Sequence, residues 1–251
     1  MITVTNTGTK ATRVIGALAL IGVAWLVLFG LVLSPADVNQ GEAVRMLYIH
    51  VPTAWLAFVS FGVTALGSLL YLVPQTRSLA WDRMAGASAE IGVLFTGLTL
   101  VAGAMWGRIT WGVYWTWDAR LTTTALLFVL FIGYLAIRNL PATPDQRAKR
   151  CAIAGLIASV DVPIVALSVQ WWRTLHQTAT IKEIGDVEIS GAMLFTLFIG
   201  VVAFSLIFLW LMIHKMRVMR MEDALDDHGL ERALEERRAE AEEAGVEEVP
   251  V

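Results

Sequence analysis

The chain of 251 residues contains one cysteine, Cys151. A single thiol closes no intramolecular disulfide, and no Cys-x-x-Cys-His segment is present for covalent cofactor attachment, so the chain is not itself a c-type cytochrome. No Gly-x-x-x-x-Gly-Lys-Ser/Thr loop occurs either, so any ATP hydrolysis belongs to a partner. Charge is scarce. Charged residues make up 16% of the chain and hydrophobic ones 57%, and the mean hydropathy of +0.64 excludes an ordinary soluble domain.

The apolar residues fall into runs near 14–33, 51–73, 88–105, 121–137, 151–170 and 191–213. Each approaches the roughly 20 residues a helix needs to cross about 30 Å of hydrocarbon, the third and fourth being at the short end. They are too long and too uniformly apolar for the alternating strands of a membrane barrel. The expected fold is therefore an all-α membrane protein of six transmembrane helices. The first run follows Lys10 and Arg13, yet it is longer than a secretory signal core and "VLSPADVNQ" offers no small-residue cleavage site, so it is read as helix one.

Lys and Arg set the expected orientation. Lys10, Arg13, Arg77, Arg83, Arg138, Arg147, Lys149, Arg150, Lys215, Arg217 and Arg220 flank one side, against Arg45, Arg108, Arg120, Arg173 and Lys182 on the other. The richer side is assigned to the cytoplasm, with both termini, and the loop between helices three and four then faces outward. The net charge of −3 divides unevenly: residues 222–251 carry twelve acids and three arginines, leaving 1–221 positive. The expected organisation is a membrane domain over 1–221 and an acidic cytoplasmic tail over 222–251, solvated as a helix or disordered.

The outward loops hold most of the chemistry. Trp106, Trp111, Trp115, Trp117, Trp171 and Trp172, six of the ten tryptophans, fall at or beyond the outer boundary. An aromatic belt at the headgroups is one reading and a ligand platform the other. Two of the four histidines lie at the same depth: His50 in "YIHVPTAW", where Pro52 suits a first helical turn, and His176 in "QWWRTLHQ", just past helix five. Each alone has bland uses. Together, two opposed imidazoles suit haem iron, the tryptophans can cover an apolar macrocycle, and Arg45, Arg108, Arg120 and Arg173 can pair with propionates. A bare zinc site would want a third or fourth ligand.

"WGVYWTWDARLTT" (111–123) resembles the signature of the tryptophan-rich haem-handling membrane proteins. Its "WDARLT" ending, with "MLYIHVPTAW" and "SVQWWRTLHQ" around the histidines, resembles the haem exporter protein C family, also called cytochrome c maturation protein C. The likeness spans 12–217 and leaves the acidic tail outside. It implies a site on the periplasmic side of the bacterial inner membrane, where haem b is held transiently as cargo between His50 and His176. Trp111, Trp115, Trp117, Asp118 and Arg120 would shape that surface. It further implies delivery to a membrane-anchored haem chaperone, within a complex containing an ATP-binding subunit, a second multi-span subunit and a small single-span subunit, and no nucleic acid. Asp118 has a plainer role beside this one, as N-cap of helix four.

Two acids lie within the apolar runs. Asp161 precedes Pro163 in "ASVDVPIVAL", and Glu90 sits near the inner end of helix three. A mid-membrane acid is costly and usually has a partner. The expectation is that Asp161 meets backbone freed by a kink at Pro163 or a small neighbour, and that Glu90 reaches water. A transporter using both acids would leave the outer cluster unexplained. A catalytic c-type cytochrome synthase is the other alternative, expected to be longer and to hold extra histidines.

Overall fold

The computed structural model describes residues 7–176, 181–183, 186–187, 189 and 191–243. Among these, six helical spans are long and apolar enough to cross a membrane. The first comprises α1 (Lys10–Trp25) and a π-helical continuation over Leu26–Val32. A 3-10 turn (Glu42–Met46) leads into α2 (Leu47–Leu72), followed by α3 (Leu79–Thr110) and α4 (Ala119–Arg138). The fifth span is split into α5 (Pro144–Ser159) and α6 (Asp161–Trp171), and α7 (Gly191–Glu243) is the last. A short antiparallel pair, β1 (Ile181–Glu183) with β2 (Asp186–Val187), interrupts the otherwise helical chain between α6 and α7. No periodicity in the sequence announced it.

Helix starts follow local capping chemistry. Thr9 and Thr143 form reciprocal capping boxes with Thr12 and Gln146, and Pro144 occupies a first-turn position where a missing N–H costs nothing. Ser78 and Asp118 cap α3 and α4 by accepting from Ala80 and Leu121. Helix two departs from expectation. The turn at Glu42–Met46 lets it begin at Leu47, so Pro52 stands inside the helix and not in its first turn. Helix five is broken at Val160, three residues before the Pro163 at which a kink was expected. Pro163 has no N–H to give the Ser159 carbonyl, and the Val160 N–H turns back to Ile157 at 3.2 Å.

The third span is far longer than its apolar run of 88–105, at 32 residues, or roughly 48 Å at 1.5 Å per residue. The charges along its inner part do not end the helix, because each is paired. Asp82 is bound by Arg138, Arg83 by Asp223, and Glu90 by Lys215 at 2.7 Å. Asp223 lies on α7 and also receives Arg147, so the acidic segment begins as a part of the bundle. From there α7 continues unbroken to Glu243. A charge boundary at 222 falls within this helix.

The centre of the bundle is the packing of α2 on α3, where small and hydroxyl residues let the backbones approach. The Ser60 carbonyl accepts from both Thr64 and Ser88, and Thr64 reaches the Ala85 carbonyl. Phe61 stacks on Phe131 of α4 at 3.8 Å, joining that pair to the core. Asp161 is buried, at 5% exposure, and its Oδ2 has no hydrogen-bond partner among the described residues. The expected backbone contact for that oxygen is not formed.

Candidate functional site

At the end of the bundle opposite the acidic extension, α2, α3, α4 and α6 splay around a cavity of about 1130 Å³. His50 enters it from the first turns of α2. Its ring lies against Gly103 of α3, where a Cβ would come within 2.8 Å of Cε1, so any larger residue would displace the imidazole. One helical turn further along α3, Trp106 meets His50 edge-on at 5.8 Å. Trp106 is fixed in turn by Gln40, whose Oε1 accepts from the indole N–H at 2.9 Å. Gln40 is held by a tight turn: Asp37 Oδ1 accepts from the N–H groups of Gln40 and Asn39, both at 2.8 Å, which keeps its carboxyl below the ordinary carboxylate range.

His176 comes from the segment after α6. Its ring centre is 6.3 Å from that of His50 and 6.4 Å from Trp111. The segment is tied across to α4, because Asp118 accepts from the Leu175 N–H at 3.0 Å, and Thr174 closes a local turn onto the His176 carbonyl. Chain reversal before α4 depends on Gly112, whose φ of 79° lies in the left-handed region. Thus residues 126 positions apart in the chain form one mouth.

Of the expected residues, His50, His176, Trp106, Trp111, Trp115 and Arg120 line the cavity. Arg120 donates to the Val165 carbonyl of α6 at 2.7 Å, and its Nε is buried without a hydrogen-bond partner among the described residues. It is the arginine among the cavity-lining residues. Arg45 is engaged elsewhere: it donates to the Leu31 and Ser34 carbonyls at the end of the first span and pairs with Glu42. Arg108 binds the Gly112 carbonyl and lies over the Tyr114 ring. Arg173 is exposed, as are Trp171 and Trp172, which contact each other edge-on at 5.7 Å. Trp117 is 83% exposed and meets Trp115 edge-on, outside the lining. Asp118 stands behind the lining as cap and tie.

Other lining residues escaped the sequence reading. Thr96, Thr99, Gly103 and Thr110 form one wall with the expected Trp106, spaced three and four apart along α3. That spacing of small and hydroxyl residues on an apolar helix was a legible sign of one face kept open. Tyr114, Gln170 and Trp55 also border the space, and Trp55 donates to Ser205 of α7 at 3.0 Å. Leu47, Val51, Phe58, Leu127 and Val165 supply apolar lining. Two imidazoles and one guanidinium thus stand in a largely apolar lining.

Known proteins resemble the chain over most of its length. The family profile described as Heme exporter protein C matches residues 3–229. Heme exporter protein C of Bradyrhizobium diazoefficiens is 40% identical over 185 residues, covering 74% of this chain and 70% of the relative. The Haemophilus influenzae protein of the same name is 38% identical over 205 residues, covering 81% of each. A putative cytochrome c biosynthesis ccmC-like mitochondrial protein of Arabidopsis thaliana is 39% identical over 162 residues, covering 64% of this chain and 60% of the relative. The match runs through both histidine segments and the tryptophan-rich loop, and the chain belongs to the Heme exporter protein C family.

Proposed function

We propose that the chain is a haem carrier of c-type cytochrome maturation, holding haem b as transient cargo between His50 and His176. The observation that carries this reading is the 6.3 Å between the two ring centres at the mouth of the cavity. Two imidazoles need about 6 Å between centres to place one nitrogen of each about 2 Å from an iron between them. The cavity, at about 1130 Å³, is at the upper end of the roughly 300–1,000 Å³ usual for small-molecule sites and has room for a large flat ligand. Trp106, Trp111 and Trp115 offer apolar cover, and Arg120 offers a cation for a propionate. The relatives' names, which speak of haem export and cytochrome c biosynthesis, support the same reading.

In this account the tryptophan-rich end faces the periplasm, both termini lie in the cytoplasm, and the membrane is the bacterial inner membrane. The positive-inside count supports that orientation. Haem passes from the site to a membrane-anchored chaperone, and the chain works with an ATP-binding subunit, a second multi-span subunit and a small single-span subunit. The carrier forms no covalent bond itself. The test is a visible spectrum of the chain purified from haem-replete membranes: a Soret band is expected, together with loss of that band when the apo-chaperone is added. A wild-type chain that takes up no haem under these conditions contradicts the reading.

A further inference from the structure

We propose that Asp118 is a positioning residue for His176, acting through the Leu175 backbone and not through the ligand. The proposal rests on the reading of His176 as a haem ligand. The two oxygens of Asp118 do separate things. Oδ1 accepts from the Leu121 N–H at 2.8 Å and caps α4, while Oδ2 accepts from the Leu175 N–H at 3.0 Å. One carboxylate thereby fixes the start of a membrane helix and a loop 57 residues away in the chain. Its own helix is well anchored, since Arg120, two residues on, reaches the Val165 carbonyl of α6.

Over 172–175 the loop is thinly packed. Leu175 and Trp172 are about half exposed, and α6 has ended at Trp171. Its apolar side chains therefore do little to seat it. Hydrogen bonds are left to do so: Trp172 closes back on Ser168, and Thr174 binds the His176 carbonyl within the loop. Of the loop bonds named, the one from Asp118 ties it to another helix, one residue before the imidazole. A charged acceptor makes that bond stronger than a neutral one.

The chemistry of the side chain offers a clean separation. A carboxylate can accept at both oxygens, whereas an asparagine has one acceptor oxygen and an NH2 that can only donate. Asp118→Asn can therefore keep the helix cap, at which Asn is as good as Asp. It then sets a donor against the Leu175 N–H. Asp118→Ala loses both bonds.

The experiment measures two quantities on the full-length wild type, Asp118→Asn, Asp118→Ala and His176→Ala. Amide exchange across 172–176 in the haem-free proteins reads the tie, with exchange in α4 as the check on folding. The Soret band with and without added imidazole reads ligation. We expect exchange at Leu175 about tenfold faster in Asp118→Asn, as loss of one charge-assisted bond gives, with α4 unchanged. Its haem spectrum should resemble that of His176→Ala and recover with imidazole. Wild-type exchange at Leu175 in Asp118→Asn overturns the proposal. So does faster exchange with an unaltered haem spectrum, when His176→Ala has lost its own. A wild-type spectrum in His176→Ala overturns the underlying ligand assignment and the positioning role with it, whatever the exchange data give for the tie.

Discussion

Arg138 donates two parallel hydrogen bonds to Asp82, at 2.7 and 2.9 Å, and the two side chains are 7% and 2% exposed. This ion pair joins the first turn of α3 to the last turn of α4. Arg147 of α5 adds a longer contact to the same carboxylate and passes to Asp223 of α7, which also binds Arg83. Four helices thus converge on two aspartates at the end of the bundle remote from the cavity.

Removing Asp82 leaves the buried Arg138 uncompensated, and removing Arg138 leaves Asp82 only the longer contact to Arg147. Arg138→Ala or Asp82→Ala should each destabilise the bundle by about 3–5 kcal/mol, whereas replacing both with apolar residues of similar volume should cost far less. Thermal unfolding of the detergent-solubilised variants measures this. A double replacement as damaging as either single change would mean that the pair's charges are not the source of the loss.

Gly103→Ala tests the seating of His50. The added Cβ would lie 2.8 Å from the imidazole Cε1, while alanine is the better helix former by about 1 kcal/mol. Haem occupancy should fall with thermal stability held or slightly raised. Unchanged occupancy and an unchanged Soret maximum would show that the ring has freedom to shift.

Trp115 and Trp117 should separate. Trp115 lines the cavity and Trp117 is exposed beside it. Trp115→Ala removes part of the roughly 150–250 Å² that a large ring can bury, at about 25 cal/mol per Å². Haem should dissociate faster from Trp115→Ala than from Trp117→Ala, as stopped-flow transfer to a haem scavenger would record. Equal rates would make the loop an interfacial belt.

Orientation has its own test. Reporter fusions after Gln40, Thr110 and Gly185 should read periplasmic, and fusions after Thr76, Asp145 and Met219 cytoplasmic. A cytoplasmic signal at Thr110 would place the site on the wrong face for a periplasmic chaperone.

Spans, their order and the two histidines were legible because apolar length and Trp, His and Pro placement are local properties. Helix ends were less so. Asp82 and Arg83 lay outside the apolar run of α3 on paper, but each is neutralised by a partner on another helix, which no local window contains. The arginines were the least legible part of the site. Arg45 and Arg120 read alike in sequence, yet one closes the carbonyl end of the first span and the other faces the cavity. Which cation meets a ligand depends on carbonyls left open by other helices. Asp118 was legible as a cap, while its second bond to Leu175 needed the fold.

The most direct test of the account is a haem titration into the purified apo-chain, comparing wild type with His50→Ala and His176→Ala, each with and without free imidazole. Two axial imidazoles predict a low-spin Soret spectrum for the wild type, a weakened and shifted band in each single variant, and substantial recovery when imidazole fills the vacant position. Wild-type spectra and affinities in both variants, with no response to imidazole, would contradict it.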